Sequence, residues 1–236
     1  MKLVVLNHKM NLEYEDLDKY IDDLKKINLS NIKLVVCPTD VYLSKFIESG
    51  FVCGSQNVSF DLDGAYTGEM SALQLKSLGI KYSIVGHSER RKYFNEDNTM
   101  ICRKTKLLLD EKIIPILCIG ESLEDKEKER TKEIIKNQIV EVLDYLNNIS
   151  SIVIAYEPVW AIGSGFTPSM EDVEEIVSFI KMVVFKRYGV DIKVLYGGSV
   201  SDDNIHEFEK LDILDGYLLG TVSLYPDKLS NLTRKL

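Results

Sequence analysis

The 236-residue chain is 45% hydrophobic and 28% charged, with a net charge of −8 at pH 7. So apolar a composition excludes a disordered chain, and the acidic balance disfavours nucleic acid or an anionic membrane as the main partner while leaving room for a small, focused positive pocket. Because α/β barrels commonly reach about 250 residues around a single core, residues 1–236 are expected to form one domain.

Short β-branched apolar runs at 2–6, 33–37, 51–54, 82–85, 113–118, 152–155, 192–195 and 216–219 predict eight strands. Most are apolar on both faces, which suits parallel strands covered on both sides. Charged amphipathic stretches lie between them. The clearest, 170–188, sets Val173, Ile176, Val177, Ile180, Val183 and Val184 at helical spacing and loads its first turns with Glu171, Asp172, Glu174 and Glu175. Thr167 is its expected N-cap, with Pro168 at the first helical position. The charged run 121–136 reads as a solvated loop and helix face, and His206 as a solvated helix residue. Eight alternations of strand and helix without a Pro/Gly/Ser linker predict a closed (β/α)8 barrel, a TIM barrel, ahead of an open doubly wound sheet.

The longest apolar runs, such as 113–119 broken by Pro115, fall short of the about 18 residues that a membrane span needs. The 3–6 run leads at once into Asn7, His8 and Lys9 instead of a small-residue cleavage site. The four cysteines, Cys37, Cys53, Cys102 and Cys118, include no Cys-x-x-Cys pair. Together these features predict a cytoplasmic protein with reduced, buried thiols.

A barrel carries its chemistry at the carboxyl ends of its strands, so the polar residues that follow each apolar run are the informative ones. Strand one ends in Asn7-His8-Lys9, strand three in Ser55-Gln56-Asn57, strand four in Gly86-His87-Ser88-Glu89-Arg90-Arg91 and strand six in Tyr156-Glu157-Pro158. Strand seven gives Tyr196-Gly197-Gly198-Ser199-Val200, and strand eight Gly220-Thr221. A lysine, a histidine and a glutamate thus supply a positive charge, a hydrogen-bonding acid and a base around one mouth. Glycines after strands seven and eight offer backbone N–H groups where such barrels bind phosphate. Other readings stand beside these: His87-x-Glu89 as two metal ligands, although the chain has only three histidines; Lys9 as a surface lysine or a Schiff-base nucleophile; Cys118 as a packed small hydrophobe.

The segment Ala155-Tyr156-Glu157-Pro158-Val159-Trp160-Ala161-Ile162-Gly163-Ser164-Gly165 resembles the catalytic-glutamate segment and lid of the triosephosphate isomerase family. Similar to that family, and in the same order, are Asn7-x-Lys9-Met10-Asn11, Gly64-Ala65-Tyr66-Thr67-Gly68-Glu69, Val85-Gly86-His87-Ser88-Glu89-Arg90-Arg91, Cys118-Ile119-Gly120-Glu121 and Tyr196-Gly197-Gly198-Ser199-Val200. The departures are His8 in place of the usual aromatic residue, Ser164 in place of a lid Thr, Thr221 in place of the second Gly of a pair, and a short stretch at 165–168.

The resemblance implies interconversion of dihydroxyacetone phosphate and glyceraldehyde 3-phosphate through an enediolate, in glycolysis and gluconeogenesis, without a cofactor or metal. It implies Glu157 as the proton-carrying base and His87 as a neutral donor whose pKa is lowered by the turn 88–91. Lys9 would supply fixed charge, Asn7 orientation and Glu89 support. The phosphate would meet Gly163, Ser199, Gly220 and Thr221, with Asn7 and Lys9 completing the substrate site. The lid would comprise Val159, Trp160, Ala161, Ile162, Gly163, Ser164 and Gly165. A homodimer is implied too, with Thr67 of loop 63–70 reaching the neighbouring site and Glu69 meeting the neighbour's Arg90; a pairing of dimers into a tetramer stays open. Two rival functions are an aldolase-type lyase working through a Lys9 imine and a catalytically silent ligand-binding relative. The joint presence of Asn7, Lys9, His87 and Glu157 argues against the latter, because a binding module needs no base.

Overall fold

The computed structural model describes residues 1–162 and 166–236. Eight parallel strands, β1 (Lys2–Asn7), β2 (Ile32–Cys37), β3 (Gly54–Ser55), β4 (Tyr82–Val85), β5 (Ile114–Ile119), β6 (Val153–Tyr156), β7 (Lys193–Tyr196) and β8 (Gly216–Leu219), form one sheet in the order β2-β1-β8-β7-β6-β5-β4-β3. A parallel bridge between Val36 and Cys53 brings the two ends of that order together. The result is a nearly closed (β/α)8 barrel with helices around it. The third strand is the main departure from the expected pattern. Of the run 51–54 only Gly54 continues as strand, because Val52 and Cys53 meet β2 through a single bridge and one backbone bond, Val36 N–H to Val52 O at 3.0 Å.

The two-sided apolar character of the strands has a direct structural cause. Leu3 and Val5 of β1 join Val35, Ile84, Ile116, Cys118, Ala155 and Leu195 in a cluster inside the barrel. Their neighbours Val4 and Leu6 join Val36, Val85, Leu117, Ile154 and Val194 in a second cluster shared with the helices. Successive side chains of a strand face opposite ways, so a strand buried on both faces must be apolar at every position.

The helix Met170–Tyr188 has the expected bounds and buries the expected face, Val173, Ile176, Val177, Ile180, Val183 and Val184. Its cap differs from expectation. Ser169, not Thr167, accepts from the Asp172 N–H at 3.0 Å. An N-cap oxygen reaches the amide two or three residues on, and helix geometry begins at Met170, so only Ser169 stands at that distance. His206 is exposed in the short helix Ile205–Phe208, and the run 121–136 splits into pieces of two helices, Leu123–Glu127 and Thr131–Leu143. Glu121 departs from the solvated reading of that run, being 1% exposed. All four cysteines are free; Cys37, Cys53 and Cys118 are buried and Cys102 half-buried. No described helix is long and apolar enough to cross a membrane.

His8 packs edge-on against Tyr20 and Phe46, with ring centroids 5.1 and 5.6 Å away, and is 1% exposed. Burial pushes its pKa from 6.5 down to about 4. The folded chain therefore binds fewer protons than the unfolded chain in that window: stability is intact above pH 6.5 and drains as pH falls toward 4. Replacing His8 with Phe removes this drain, and melts of the two proteins should show the wild type losing about 2 kcal/mol relative to the variant between pH 7 and pH 5. A stability difference independent of pH would mean that His8 is not buried as a neutral ring.

Candidate active site

Of the residues singled out at the strand ends, Asn7, Lys9, His87, Glu157, Gly197, Gly198, Ser199, Gly220 and Thr221 line one cavity of about 280 Å³ at the carboxyl mouth of the barrel, while Gln56, Asn57, Glu89 and Arg90 line a neighbouring cavity that shares Asn7, Lys9 and His87. Lys9 lies two residues past the end of β1 and sits at φ 52, a left-handed conformation uncommon for a residue with a side chain. Three groups hold it there. Its N–H donates to Asn7 Oδ1 at 3.1 Å, and its carbonyl accepts from Thr39 Oγ1 at 3.0 Å and Gln56 Nε2 at 2.9 Å. Thr39 and Gln56 were not singled out by sequence reasoning. Gln56 stood visibly at the end of strand three, but its target is a main-chain oxygen that no sequence pattern reveals.

The Lys9 ammonium donates to Glu89 Oε1 at 2.6 Å, in a pair open to solvent at one side. Glu89 and His87 flank Ser88 at the start of the helix Ser88–Phe94. His87 is its N-cap, and its Nδ1 accepts from the Glu89 N–H at 3.2 Å. An acceptor nitrogen carries a lone pair, so the ring proton lies on Nε2, which stands 3.0 Å from Glu157 Oε1. The other Glu157 oxygen accepts from the Ser88 N–H at 3.1 Å.

The His87 imidazole and the Glu157 carboxylate are therefore docked on each other and both are buried, at 5% and 2% exposure. Burial opposes charge on His87, but the Glu157 carboxylate, with Glu89 further off, outweighs it and raises the imidazole pKa. The expectation of a lowered His87 pKa is thus reversed in this arrangement, because a carboxylate in contact outweighs the neighbouring N–H. Glu157 answers in kind: burial pushes its pKa up, while His87, the Ser88 N–H and Lys9 bring it below the usual carboxylate value.

Backbone packing fixes Glu157 from behind. A Cβ on Gly120 would lie 1.7 Å from the Glu157 carbonyl oxygen, and one on Gly197 would lie 3.0 Å from Glu157 Cγ. Gln138 holds Gly120 in place by accepting its N–H at 2.8 Å and donating to its carbonyl at 3.0 Å. Neither Gly120 nor Gln138 was read from sequence as serving the base, since the contact exists only once β5 and β6 pair.

Beyond Glu157 the chain enters the 3-10 turn Val159–Ala161. The Val159 N–H donates to the Glu121 carbonyl at 3.1 Å, Trp160 Nε1 donates to Glu121 Oε1 at 2.7 Å, and Ser199 Oγ donates to the Ala161 carbonyl at 2.6 Å. Ile162 lines the cavity. Gly163, Ser164 and Gly165 lie outside the described residues. Across the cavity Gly220 faces Lys9 closely enough that a Cβ there would lie 3.6 Å from Lys9 Cε.

Loop residues 63–69, including Thr67 and Glu69, are all exposed. The loop's base is braced by Arg103 donating to Asp61 at 2.7 Å and by an edge contact between Phe60 and Tyr66. Within the chain Arg90 donates to the buried Glu96, which also takes a proton donor from buried Lys104. Among the described residues no three His, Cys, Asp or Glu side chains gather as a metal site.

A buried carboxylate and imidazole in contact, with an ammonium beside them at the mouth of a (β/α)8 barrel, have the composition of an enzyme site that can move protons. The family model described as Triosephosphate isomerase matches residues 2–236. A protein named triosephosphate isomerase from Dictyoglomus thermophilum is 38% identical over 245 residues, covering 99% of this chain and 98% of its own length. Others so named, from Buchnera aphidicola and Saccharomyces cerevisiae, are 39% and 36% identical and cover 98% and 94% of the chain. The chain belongs to the triosephosphate isomerase family.

Proposed function

We propose that this chain interconverts dihydroxyacetone phosphate and glyceraldehyde 3-phosphate. The observation that carries the mechanism is the face-to-face docking of Glu157 and His87 beside Lys9. Isomerisation removes a weakly acidic proton next to a carbonyl and returns it on the neighbouring carbon, while charge builds on oxygen. Glu157 is the base; to reach carbon it leaves the Ser88 N–H and His87. His87 then loses the carboxylate that raises its pKa, and burial together with the Glu89 N–H at Nδ1 leaves it a neutral donor to the enediolate oxygens. Lys9 supplies positive charge to the same oxygens, Asn7 holds the Lys9 backbone, and Glu89 positions the ammonium. The loop at Ser199 and the turn at Gly220 and Thr221, with Gly163 from the lid, would hold the phosphate through main-chain N–H groups. Closure of the lid keeps water from the enediolate until reprotonation, preventing elimination of phosphate.

A coupled assay with glyceraldehyde 3-phosphate tests the reaction directly, and borohydride with substrate would label Lys9 only if the imine alternative held. Turnover without labelling is the expected result.

We further propose that the working form is a homodimer in the cytoplasm. Loop 63–69 is exposed throughout, and Met10, Tyr93 and Phe94, which line the neighbouring cavity with Lys9 and His87, are exposed at 92%, 65% and 62%. Large apolar side chains so exposed and close together suit a subunit contact. Thr67 would enter the partner's site near Asn7 and His87, and Glu69 would approach the partner's Arg90. Sedimentation combined with activity on dilution should show specific activity collapsing as the dimer dissociates. A fully active monomer would reject the arrangement.

A further inference from the structure

The residue after Asn7 is involved in a hydrogen-bond relay that the proton-transfer chemistry does not use. His8 Nε2 is 2.9 Å from the Tyr20 hydroxyl oxygen, and Tyr20, from the helix Leu17–Lys25, lies 2.6 Å from the Ser223 carbonyl oxygen. A carbonyl has no hydrogen, so the single Tyr20 proton is spent on Ser223, and His8 must donate its Nε2–H to Tyr20. His8 Nδ1 then carries a bare lone pair, and it has no partner among the described residues. All three residues are buried. The relay is therefore directional and buried: His8 to Tyr20 to Ser223.

Ser223 lies in the 3-10 turn Thr221–Leu224 that follows β8. Its N–H and its hydroxyl both donate to the Gly220 carbonyl, at 2.9 and 2.5 Å, and the hydroxyl also lies 3.5 Å from the Asn7 carbonyl. Gly220 in turn faces the Lys9 side chain in the same cavity. The relay thus closes a loop from the end of β1, through the first long helix, to the turn that faces Lys9. We propose that His8 and Tyr20 are positioning residues that fix the 220–223 turn at the distance from Lys9 required by the phosphate end of the substrate. This rests on reading that turn as a phosphate holder. Without the Tyr20 hydroxyl the Ser223 carbonyl is buried and unpaired, and the turn must shift to satisfy it.

The test compares Tyr20→Phe, His8→Leu and His8→Gln using glyceraldehyde 3-phosphate, unphosphorylated glyceraldehyde and inhibition by inorganic phosphate. In Tyr20→Phe and His8→Leu, KM for the phosphorylated substrate and Ki for phosphate should rise roughly three- to tenfold, the effect of one buried hydrogen bond. The kcat should change less, and kcat/KM for unphosphorylated glyceraldehyde should stay near wild type. His8→Gln keeps an N–H near the Nε2 position and should restore both constants. Equal losses on both substrates, or an unchanged Ki for phosphate, would overturn the proposal; if Tyr20→Phe fails to fold, the His8→Leu and His8→Gln pair decides alone. Thr221→Pro separates the two layers, because it deletes an N–H within the turn. If it leaves phosphate inhibition unchanged, the phosphate reading falls and the relay's role with it. If it weakens inhibition while Tyr20→Phe does not, only the relay is refuted.

Discussion

Glu157→Gln should lose at least about 10²–10⁴-fold in turnover, the range spanned by a positioned general base. Gln keeps the side chain's size and can still accept from the Ser88 N–H, now at 3.1 Å from the carboxylate, so the fold and the phosphate end of the site are expected to survive. Inhibition by a phosphate-bearing analogue should therefore persist where catalysis does not. The same substitution has a second readout. Removing the carboxylate leaves burial as the dominant influence on His87, so its pKa should move from above the ordinary histidine value to below it. NMR titration of the ring in wild type and variant measures this directly. The sign is definite: the carboxylate contact stabilises the imidazolium in the free enzyme, and that contribution is present at low pH and lost as pH rises through the elevated pKa. Near-normal isomerisation by Glu157→Gln would end the mechanism, and an unmoved His87 pKa would end the electrostatic account of the pair.

The site was more legible in the sequence than the elements that support it, for a physical reason. Lys9, His87, Glu157, Ser199 and Gly220 each lie within four residues of the end of an apolar run, and a barrel gathers strand ends at one mouth, so order along the chain translates into proximity. The long helix Met170–Tyr188 was equally plain because its six buried side chains recur at the helical period. Its start was not: Thr167 and Ser169 are both good caps, and only the backbone's entry into the helix chooses Ser169. Glu121 looked solvated because its neighbours at 124–129 are charged, yet the indole of Trp160 and the hydroxyl of Tyr156, 39 and 35 residues away, reach its carboxylate and make its burial tolerable. Burial pushes the Glu121 pKa up even so. The hidden contacts are those between residues that are remote in sequence and act through main-chain atoms: Gln56 on Lys9, Gln138 on Gly120, Tyr20 on Ser223. Side-chain patterns carry no mark of a carbonyl's location.

Gly120→Ala should disable the enzyme without touching any group that contacts substrate. The obstacle is space. The added methyl would stand 1.7 Å from the Glu157 carbonyl oxygen and 2.6 Å from its carbonyl carbon, distances no real Cβ contact reaches. Something must move by more than an ångström. Gly120 is poorly placed to yield, since Gln138 clamps both its N–H and its carbonyl, and β5 on its amino side is hydrogen-bonded to β4 and β6. Glu157 is held less strongly on its carboxyl side, where the chain leaves β6 for the turn Val159–Ala161. The displacement should therefore fall on the base, and a misplacement of about 1 Å costs on the order of 10²-fold in rate. Because the carboxylate also loses its alignment with His87 Nε2 and the Ser88 N–H, the His87 pKa should fall as it does in Glu157→Gln. Kinetics and the His87 titration measured on the same sample decide the matter. A large rate loss with an unchanged His87 pKa would place the damage elsewhere, and activity within about threefold of wild type would show that the barrel absorbs the methyl through β5 and leaves Glu157 where it stands.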